Sequence, residues 1–548
     1  AGAAIACLRI HNALIESGVE SRILTLEESN DKSIQTFLEP KDNLFHKYLN
    51  YFKKFFPRVI NKLITKNNPD EYEIFTGPYS LLKLENYIKK EKPDIIHLHW
   101  VSFFINYSSF FKKLRHIPIV WTLHDMNPFT GGCHYSYECV KYESNCKGCP
   151  QLVNSILPKY SSFNLNIKNN ALKNINNLSI VGVSSWVSEV SKKSTLFKKY
   201  DHYTIGNAIF TDLFKPLNAP FLKNLLTNKT IILFLCDSFH RFNKGFDLFE
   251  KAIEYLKNKD NYFIILMGHG SQSQELKNFK TMAINHTNSL EKISLIYSLA
   301  DVSCVPSRYE TFSQVTAESM SCGTPVVAFD ATGPKDIIDH KENGFLAKSY
   351  NPKDFAEGIE WIIKNNVESK LSDRARNKII TTFSKNIIIS KYIKLYDKLS
   401  NEKIHFSIPN NTQELKVNSF ETNEIDFGLK NCDIFKFIGW SNIYQRGEDP
   451  FFTSCAKGSE SSIIAKIPTK GIMQIEIFTP VRDQKIRILI NNNFVFETKL
   501  ALASWQTISF PYFNKFNVDI DLISFNFEKK HKTYNTAAIF KKIKFKSK

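Results

Sequence analysis

The stretch SRYETFSQVTAESMSCGTPVVA, Ser307 to Ala328, carries Glu310 and Glu318 eight residues apart around the start of a predicted helix. Carboxylates repel phosphate but accept hydrogen bonds from hydroxyls. The first backbone N–H groups of a helix lack intrahelical partners and sit at the positive end of its dipole, so they hold phosphate well. A ligand that is both sugar and phosphate suits this stretch. A second chemical group, Arg241 and Lys244 in CDSFHRFNKGFDLFEKAI, offers counter-charge. A third closes an apolar run: VWTLHDMNPFT ends in His124 and Asp125, and open α/β sheets bind ligands at the carboxyl ends of their strands. His124 can hydrogen-bond a substrate, and Asp125 can orient it or take a proton; a packed core histidine and an aspartate helix cap are the plain alternatives. His97 and His99 in HLHW end another such run and are expected to serve packing.

The elements that must position these groups are legible as hydrophobic periodicity. To about residue 200 the runs SRILTL, DIIHLHW, IPIVWTLHD and LSIVGVS read as buried parallel strands alternating with helical segments. A second series, TIILFLCDS, YFIILMGHG, VSCVPS and TPVVAF, follows NAIFTDLFKPLNAP. Two Rossmann-like halves account for both series. After about residue 400 the helical period is lost, and from about 430 short alternating strands such as GIMQIEIFTP and KIRILINNNFVFETKL predict an all-β sandwich or jelly roll. The expected division is 1–205 and 206–405 for the two Rossmann-like halves, 406–430 for a linker and 431–548 for the β module.

The 548 residues exceed what one core organises, and 43% hydrophobic with 23% charged residues is ordinary for a globular chain. No apolar run reaches membrane-spanning length and no secretory signal stands out, so a cytoplasmic location is expected. The chain opens on Ala1 rather than methionine, so native residues are expected ahead of it. A formal charge of +18 invites nucleic acid or anionic membrane as partner, but no nucleic-acid reading motif accompanies it. The basic residues of LFHKYLNYFKKFFPRVINKLITK are arranged differently: Phe45, Tyr48, Leu49, Phe52, Phe56, Val59, Ile60 and Leu63 form one helical stripe, with lysines and Arg58 around it. Such a segment, spanning 44–66, suits an anionic bilayer surface; a helix packed on the domain with its basic face in water is the alternative. Pro57 is expected to kink or split it.

The run LIYSLADVSCVPSRYETFSQVTAESMSCGTPVVAFDATGPKDII, with its Glu-x7-Glu pattern and GTPVVA strand, resembles the retaining, nucleotide-sugar-dependent glycosyltransferases of family 4, which have two facing Rossmann domains, the GT-B fold. The resemblance covers residues 1 to about 400 and implies that 1–205 is the acceptor domain and 206–405 the donor domain, whose last helices pack back on the first. It implies that Glu318 holds the ribose hydroxyls of a UDP- or GDP-linked donor, that Glu310 holds the hydroxyls of the donor sugar, and that backbone amides of Phe312, Ser313, Gln314 and Val315 cradle the diphosphate. Lys244 and Gly245 match the family's Lys-Gly pair, with Lys244 stabilising the departing diphosphate and Arg241 as its candidate partner. His124 would face the donor sugar. Gly2 matches a glycine loop on the acceptor side. Thr311 departs from the glycine or asparagine common there, so donor-sugar preference does not carry over. The resemblance further implies front-face displacement without a protein nucleophile or catalytic metal. The acceptor implied is a glycan or lipid-linked glycan of capsule, exopolysaccharide or lipopolysaccharide assembly. A non-catalytic glycan-binding scaffold and a hydrolase or phosphorylase are the rival readings.

Four of the ten cysteines, Cys133, Cys139, Cys146 and Cys149, lie in GGCHYSYECVKYESNCKGCPQL. In a reducing compartment this spacing suggests a structural zinc, with two disulfides or free thiols as alternatives. In the β module Trp440, Tyr444 and Trp505 either stack on sugar faces or fill the sandwich core.

Overall fold

The computed structural model describes residues 2–26, 34–37, 44–66, 74–217, 223–224, 226–271, 274, 276–400, 422, 424–427, 436–438, 440, 444–445, 452–457, 460–514, 521–529 and 536–547. The first helix, α1, runs Gly2–Glu16 and buries Ala6, Arg9, Ile10 and Ala13. Gly2 therefore opens a helix and does not sit in a loop: the alanine-rich AAIACL that follows is strongly helix-forming and carries the helix back to it.

Strands β1 (Ile23–Thr25) and β2 (Ile34–Thr36) pair in parallel as a separate two-stranded sheet. The SRILTL run is thus no part of the main first sheet among the described residues; its three strand residues are only half-buried, too short and too exposed for a central position. That main sheet is β3 (Ile96–Leu98), β4 (Ile119–Leu123), β5 (Leu178–Gly182) and β6 (Asp201–Thr204), all parallel and in chain order. Every residue of β4 and β5 is buried, as continuous apolar runs covered on both faces require.

The second sheet has six parallel strands: β7 (Thr230–Ser238), β8 (Tyr262–His269), β9 (Lys280–Ile284), β10 (Val302–Val305), β11 (Val326–Phe329) and β12 (Phe345–Ala347). Their spatial order is β9-β8-β7-β10-β11-β12, the doubly wound arrangement. The chain reverses its winding between β7 and β10, which opens a crevice at their carboxyl ends. The helix Lys385–Leu399 returns to the first sheet, where Tyr392 Oη lies 3.0 Å from Thr122 Oγ1 and Tyr396 Oη 2.7 Å from His97 Nδ1.

Helix α2, Leu44–Thr65, continues through Pro57 without dividing, contrary to the expected split. One hydrogen bond is forfeited there, but Asn61 ties the second half down, donating from Nδ2 to Phe75 O at 2.6 Å. The side chains of Phe45, Lys47, Tyr48 and Leu49 lie outside the described residues.

The C-terminal module is an antiparallel sandwich of a six-stranded and a five-stranded sheet, with Ile463, Ile475, Ile486, Ile523 and Phe540 between them. Trp440 belongs to that core and is no sugar platform. It is 5% exposed, stacks on Phe427 at 4.9 Å and donates its indole N–H to Ser462 O at 2.7 Å. Trp505 is 50% exposed at the end of the strand Trp505–Phe513; the side chain of Tyr444 lies outside the described residues.

Candidate active site

The crevice between β7 and β10 is furnished by the turns that leave those two strands. After β7 the chain makes a single turn, Phe242–Lys244, and enters the next helix through Gly245 in the left-handed region at φ 68°. Only glycine fits there, since a Cβ would lie 2.0 Å from the carbonyl oxygen of Pro306 just beyond β10. This contact holds the two turns together and sets Lys244 beside Glu310, Nζ to Oε1 2.8 Å. Ser307 donates to the same carboxylate oxygen at 3.0 Å, and the Glu310 backbone is clamped by Thr332 Oγ1 and by Gly333 N. Burial works against the charge on Lys244, but the nearby carboxylates of Glu310 and Asp237 outweigh it and raise its pKa. The lysine is a fixed cation. Arg241 stands farther out, paired with Asp237 at 3.2 Å and 39% exposed.

The helix Gln314–Ser321 begins where expected, with Glu310 before it and Glu318 within it. Its N-cap Ser313 adopts a left-handed conformation, φ 82°, and its hydroxyl accepts from Thr316 N. Phe312 is buried against Phe383, 5.3 Å between ring centres, so only its backbone is available to a ligand. Val315 is partly buried against the main core. Glu318 is not alone on its face. Arg9 of α1 reaches it across the domains, Nη2 to Oε1 2.7 Å, and Nη1 donates to Gln314 Oε1 at 3.0 Å. Tyr297 Oη donates to the other carboxylate oxygen of Glu318 at 3.5 Å.

On the opposite wall, His124 and Asp125 follow β4 as the apolar run requires. Thr311, beside Glu310, donates to the carbonyl oxygen of His124 at 2.7 Å, so the loop before the helix Gln314–Ser321 touches the turn after β4 directly. The His124 ring meets His99, Nε2 to Nδ1 2.8 Å, and His97 meets Thr122 Oγ1 at 2.7 Å. Burial depresses all three, His97 to about 3 and His124 to about 4, so the rings are neutral at physiological pH. Between His99 and His124 one ring nitrogen donates and the other accepts.

Asp125 spends both oxygens on the protein: Oδ1 accepts from Asn127 N at 2.9 Å and Oδ2 lies 2.7 Å from His134 Nδ1. Burial opposes its charge, yet His134 and the Asn127 amide hold its pKa below the ordinary value. The other nitrogen of His134 meets Thr76 Oγ1 at 2.9 Å. Buried Lys168 donates to Thr130 O at 3.1 Å and also to Asn127 O, and its enclosure lowers it to about 8.

The loop that holds His134 also brings its four cysteines to the wall of one small cavity of about 10 Å³. All four are free, and burial raises the pKa of Cys133, Cys146 and Cys149, Cys146 to about 11. Among the described residues no group of three or more His, Cys, Asp or Glu side chains is arranged to hold a metal ion. A zinc would have to displace the thiol protons and draw the sulfurs inward.

Arg9 and His134 were not singled out from sequence. Arg9 has a signal, since it falls on the helical face of Ala6, Ile10 and Ala13, where an unpaired charge is costly and a partner is required. His134 has none, because its partner is fixed only by the fold of an irregular loop.

Two family models match the two halves that build this crevice. "Glycosyltransferase Family 4" matches residues 1–145 and "Glycosyl transferases group 1" matches residues 220–380. An uncharacterized glycosyltransferase of Haemophilus influenzae is 31% identical over 160 residues, 28% of this chain and 44% of that protein. The N,N'-diacetylbacillosaminyl-diphospho-undecaprenol alpha-1,3-N-acetylgalactosaminyltransferase of Campylobacter jejuni is 26% identical over 184 residues, 33% of this chain and 48% of that protein. The chain thus spans about half the length of these relatives. A crystal structure of a glycosyltransferase from Rickettsia africae aligns at 17% identity and a TM-score of 0.49, covering 72% of this chain and 94% of its own. With one glycosyltransferase model on each of the two parallel α/β sheets that carry these residues, this chain belongs to the family 4-like glycosyltransferases of the GT-B fold.

Proposed function

We propose that the chain is a retaining hexosyltransferase that takes a sugar from a UDP- or GDP-linked donor and passes it to a glycan or lipid-linked glycan in surface polysaccharide biosynthesis. The observation that carries the reading is the Lys244–Glu310 pair, 2.8 Å apart at the crevice where the sheet reverses its winding. A diphosphate entering there meets a buried, fixed cation, and a sugar meets a carboxylate already held by Ser307. As the bond between the anomeric carbon and the phosphate oxygen breaks, Lys244 takes up the charge developing on the leaving group. Glu318 binds the ribose hydroxyls, and the backbone of Phe312, Ser313, Gln314 and Val315 carries the diphosphate. His124, held by His99, hydrogen-bonds the donor sugar; Asp125 orients the acceptor wall through His134. The acceptor attacks from the face the diphosphate leaves, and a phosphate oxygen receives its proton, so no protein nucleophile or catalytic metal takes part.

A lipid-linked acceptor is favoured by the Campylobacter jejuni relative, whose name specifies a diphospho-undecaprenol substrate. The same proposal places the protein in the cytoplasm, peripheral to the inner face of the membrane through 44–66. No helix among the described residues is long and apolar enough to cross a membrane. A structural zinc on Cys133, Cys139, Cys146 and Cys149 would fix the loop that positions His134, and elemental analysis of the purified protein tests it. The donor is tested by thermal shift against UDP- and GDP-sugars. A bound donor stabilises the native chain by mass action, and absence of any shift across the panel overturns the reading.

A further inference from the structure

Helix α2 places its side chains the wrong way round for a helix packed on a core. Phe52, Val59 and Leu63 are 53%, 52% and 54% exposed, while Lys53, Lys54 and Arg58 are half-buried. Between α2 and the segment that follows the cysteine loop lies an open groove of about 730 Å³, within the range of about 300–1,000 Å³ typical of small-molecule sites. Phe56, Ile60, Tyr79, Phe103, Leu157 and Phe163 line it. Its floor is tightly built: a Cβ on Gly77 would come within 2.4 Å of the Tyr160 hydroxyl oxygen. A surface of this size and apolarity is retained for a ligand or partner.

Three observations identify the occupant. First, the segments that form the groove, residues 52–66, 74–84 and 150–168, contain no acidic residue but carry Lys62, Lys66 and Lys159 on exposed positions. Charge of this sign complements an anionic head group. Second, the wall of the groove is not fully satisfied: Tyr79 lines it, and its hydroxyl is buried with no hydrogen-bond partner. Third, the groove is joined to the acceptor wall. Gly77 is next to Thr76, whose hydroxyl meets His134, which meets Asp125.

We propose that this groove binds the hydrocarbon chain of a lipid-linked acceptor and so sets the phosphate-bearing head toward the crevice. The inference rests on the glycosyltransferase reading above and deepens it by naming where the lipid lies. Chain burial supplies affinity in proportion to the apolar area covered, while the surrounding lysines attract the phosphate.

The test is binding of farnesyl diphosphate to the full chain, below its micellar range and in excess inorganic diphosphate, which masks any diphosphate site in the crevice. The wild type is expected to bind saturably at one site. The double variant Ile60→Asp/Phe163→Asp, altered at positions 40% and 58% exposed, is expected to bind at least tenfold more weakly with an unchanged melting temperature. Equal binding by the double variant overturns the proposal. So does absence of saturable binding when vesicles of anionic phospholipid still retain the protein, which identifies the face as a flat membrane seat. The thermal shift by nucleotide sugar is measured on the same samples. Its absence in the wild type counts against the enzyme reading, whereas its presence without farnesyl diphosphate binding counts against the groove alone.

Discussion

Arg9 and Glu318 form an ion pair, 2.7 Å apart, between helix α1 and the helix Gln314–Ser321 more than three hundred residues later. Their side chains are 6% and 12% exposed, and the guanidinium lies 5.3 Å over the Phe214 ring. Removing one member of such a pair strands a buried charge, at a cost of about 3 kcal/mol or more. Arg9→Met should therefore lower the first unfolding midpoint in urea markedly. The double variant Arg9→Met/Glu318→Leu should recover part of that loss, because neither charge is then left alone. A double variant as unstable as the sum of the single ones would show that the pair is uncoupled.

The Lys244 cation is the group asked to act on the leaving diphosphate. Lys244→Ala is expected to lower kcat about 10²- to 10³-fold, the range for loss of one preorganised transition-state contact, with a smaller change in KM. Glu310→Gln keeps a hydrogen-bonding side chain but leaves Lys244 without its nearest counter-charge. It should retain more activity than Glu310→Ala. Steady-state kinetics on the donor identified by thermal shift decide both, and near-normal kcat in Lys244→Ala removes the lysine from the mechanism.

What could be read in advance divides along physical lines. Continuous apolar runs bounded by polar turns announced β4, β5, β7, β8, β10 and β11, because a strand buried on both faces has no freedom to be polar. Glu310, Lys244 and His124 stand in the turns after such runs, but it was the family resemblance and not the runs that suggested their roles. The Arg9–Glu318 and Asp125–His134 contacts were not legible, since they join irregular or distant segments that only tertiary packing brings together. Trp440 was ambiguous because an indole serves a core or a sugar platform equally well, and only its bond to Ser462 O decides. The exposure of the apolar stripe on α2 was hidden too: periodicity gives the stripe but not the side on which the domain lies.

Gly245 offers a structural control on the crevice. Its left-handed backbone costs an alanine about 1 kcal/mol or more, and the 2.0 Å approach of a Cβ to Pro306 O forces the turns after β7 and β10 apart. Gly245→Ala should weaken donor binding more than tenfold while Lys244 and Glu310 are both still present. Calorimetric titration of the donor checks this, and unchanged affinity would mean that the spacing of the two turns is unimportant.

The neutral histidine cluster predicts a pH dependence with a definite sign. His97, His99 and His124 have pKa values lowered by burial in the folded chain, His97 to about 3 and His124 to about 4, against about 6.5 when unfolded. Between these values the unfolded chain binds more protons than the folded one, so stability is fully present above about pH 6.5 and is lost as pH falls toward 4. Each ring contributes a slope of up to about 1.4 kcal/mol per pH unit, reduced by the solvent contact that all three retain. The melting temperature should fall steadily from pH 7 to pH 5, above the range where carboxylates dominate. His99→Asn removes one titrating ring and frees His124 from its partner. That variant should show a shallower fall over the same interval and a shifted acidic limb in the pH profile of kcat. An unchanged melting slope together with an unshifted acidic limb would mean that these rings take up protons as readily in the folded chain as in the unfolded one.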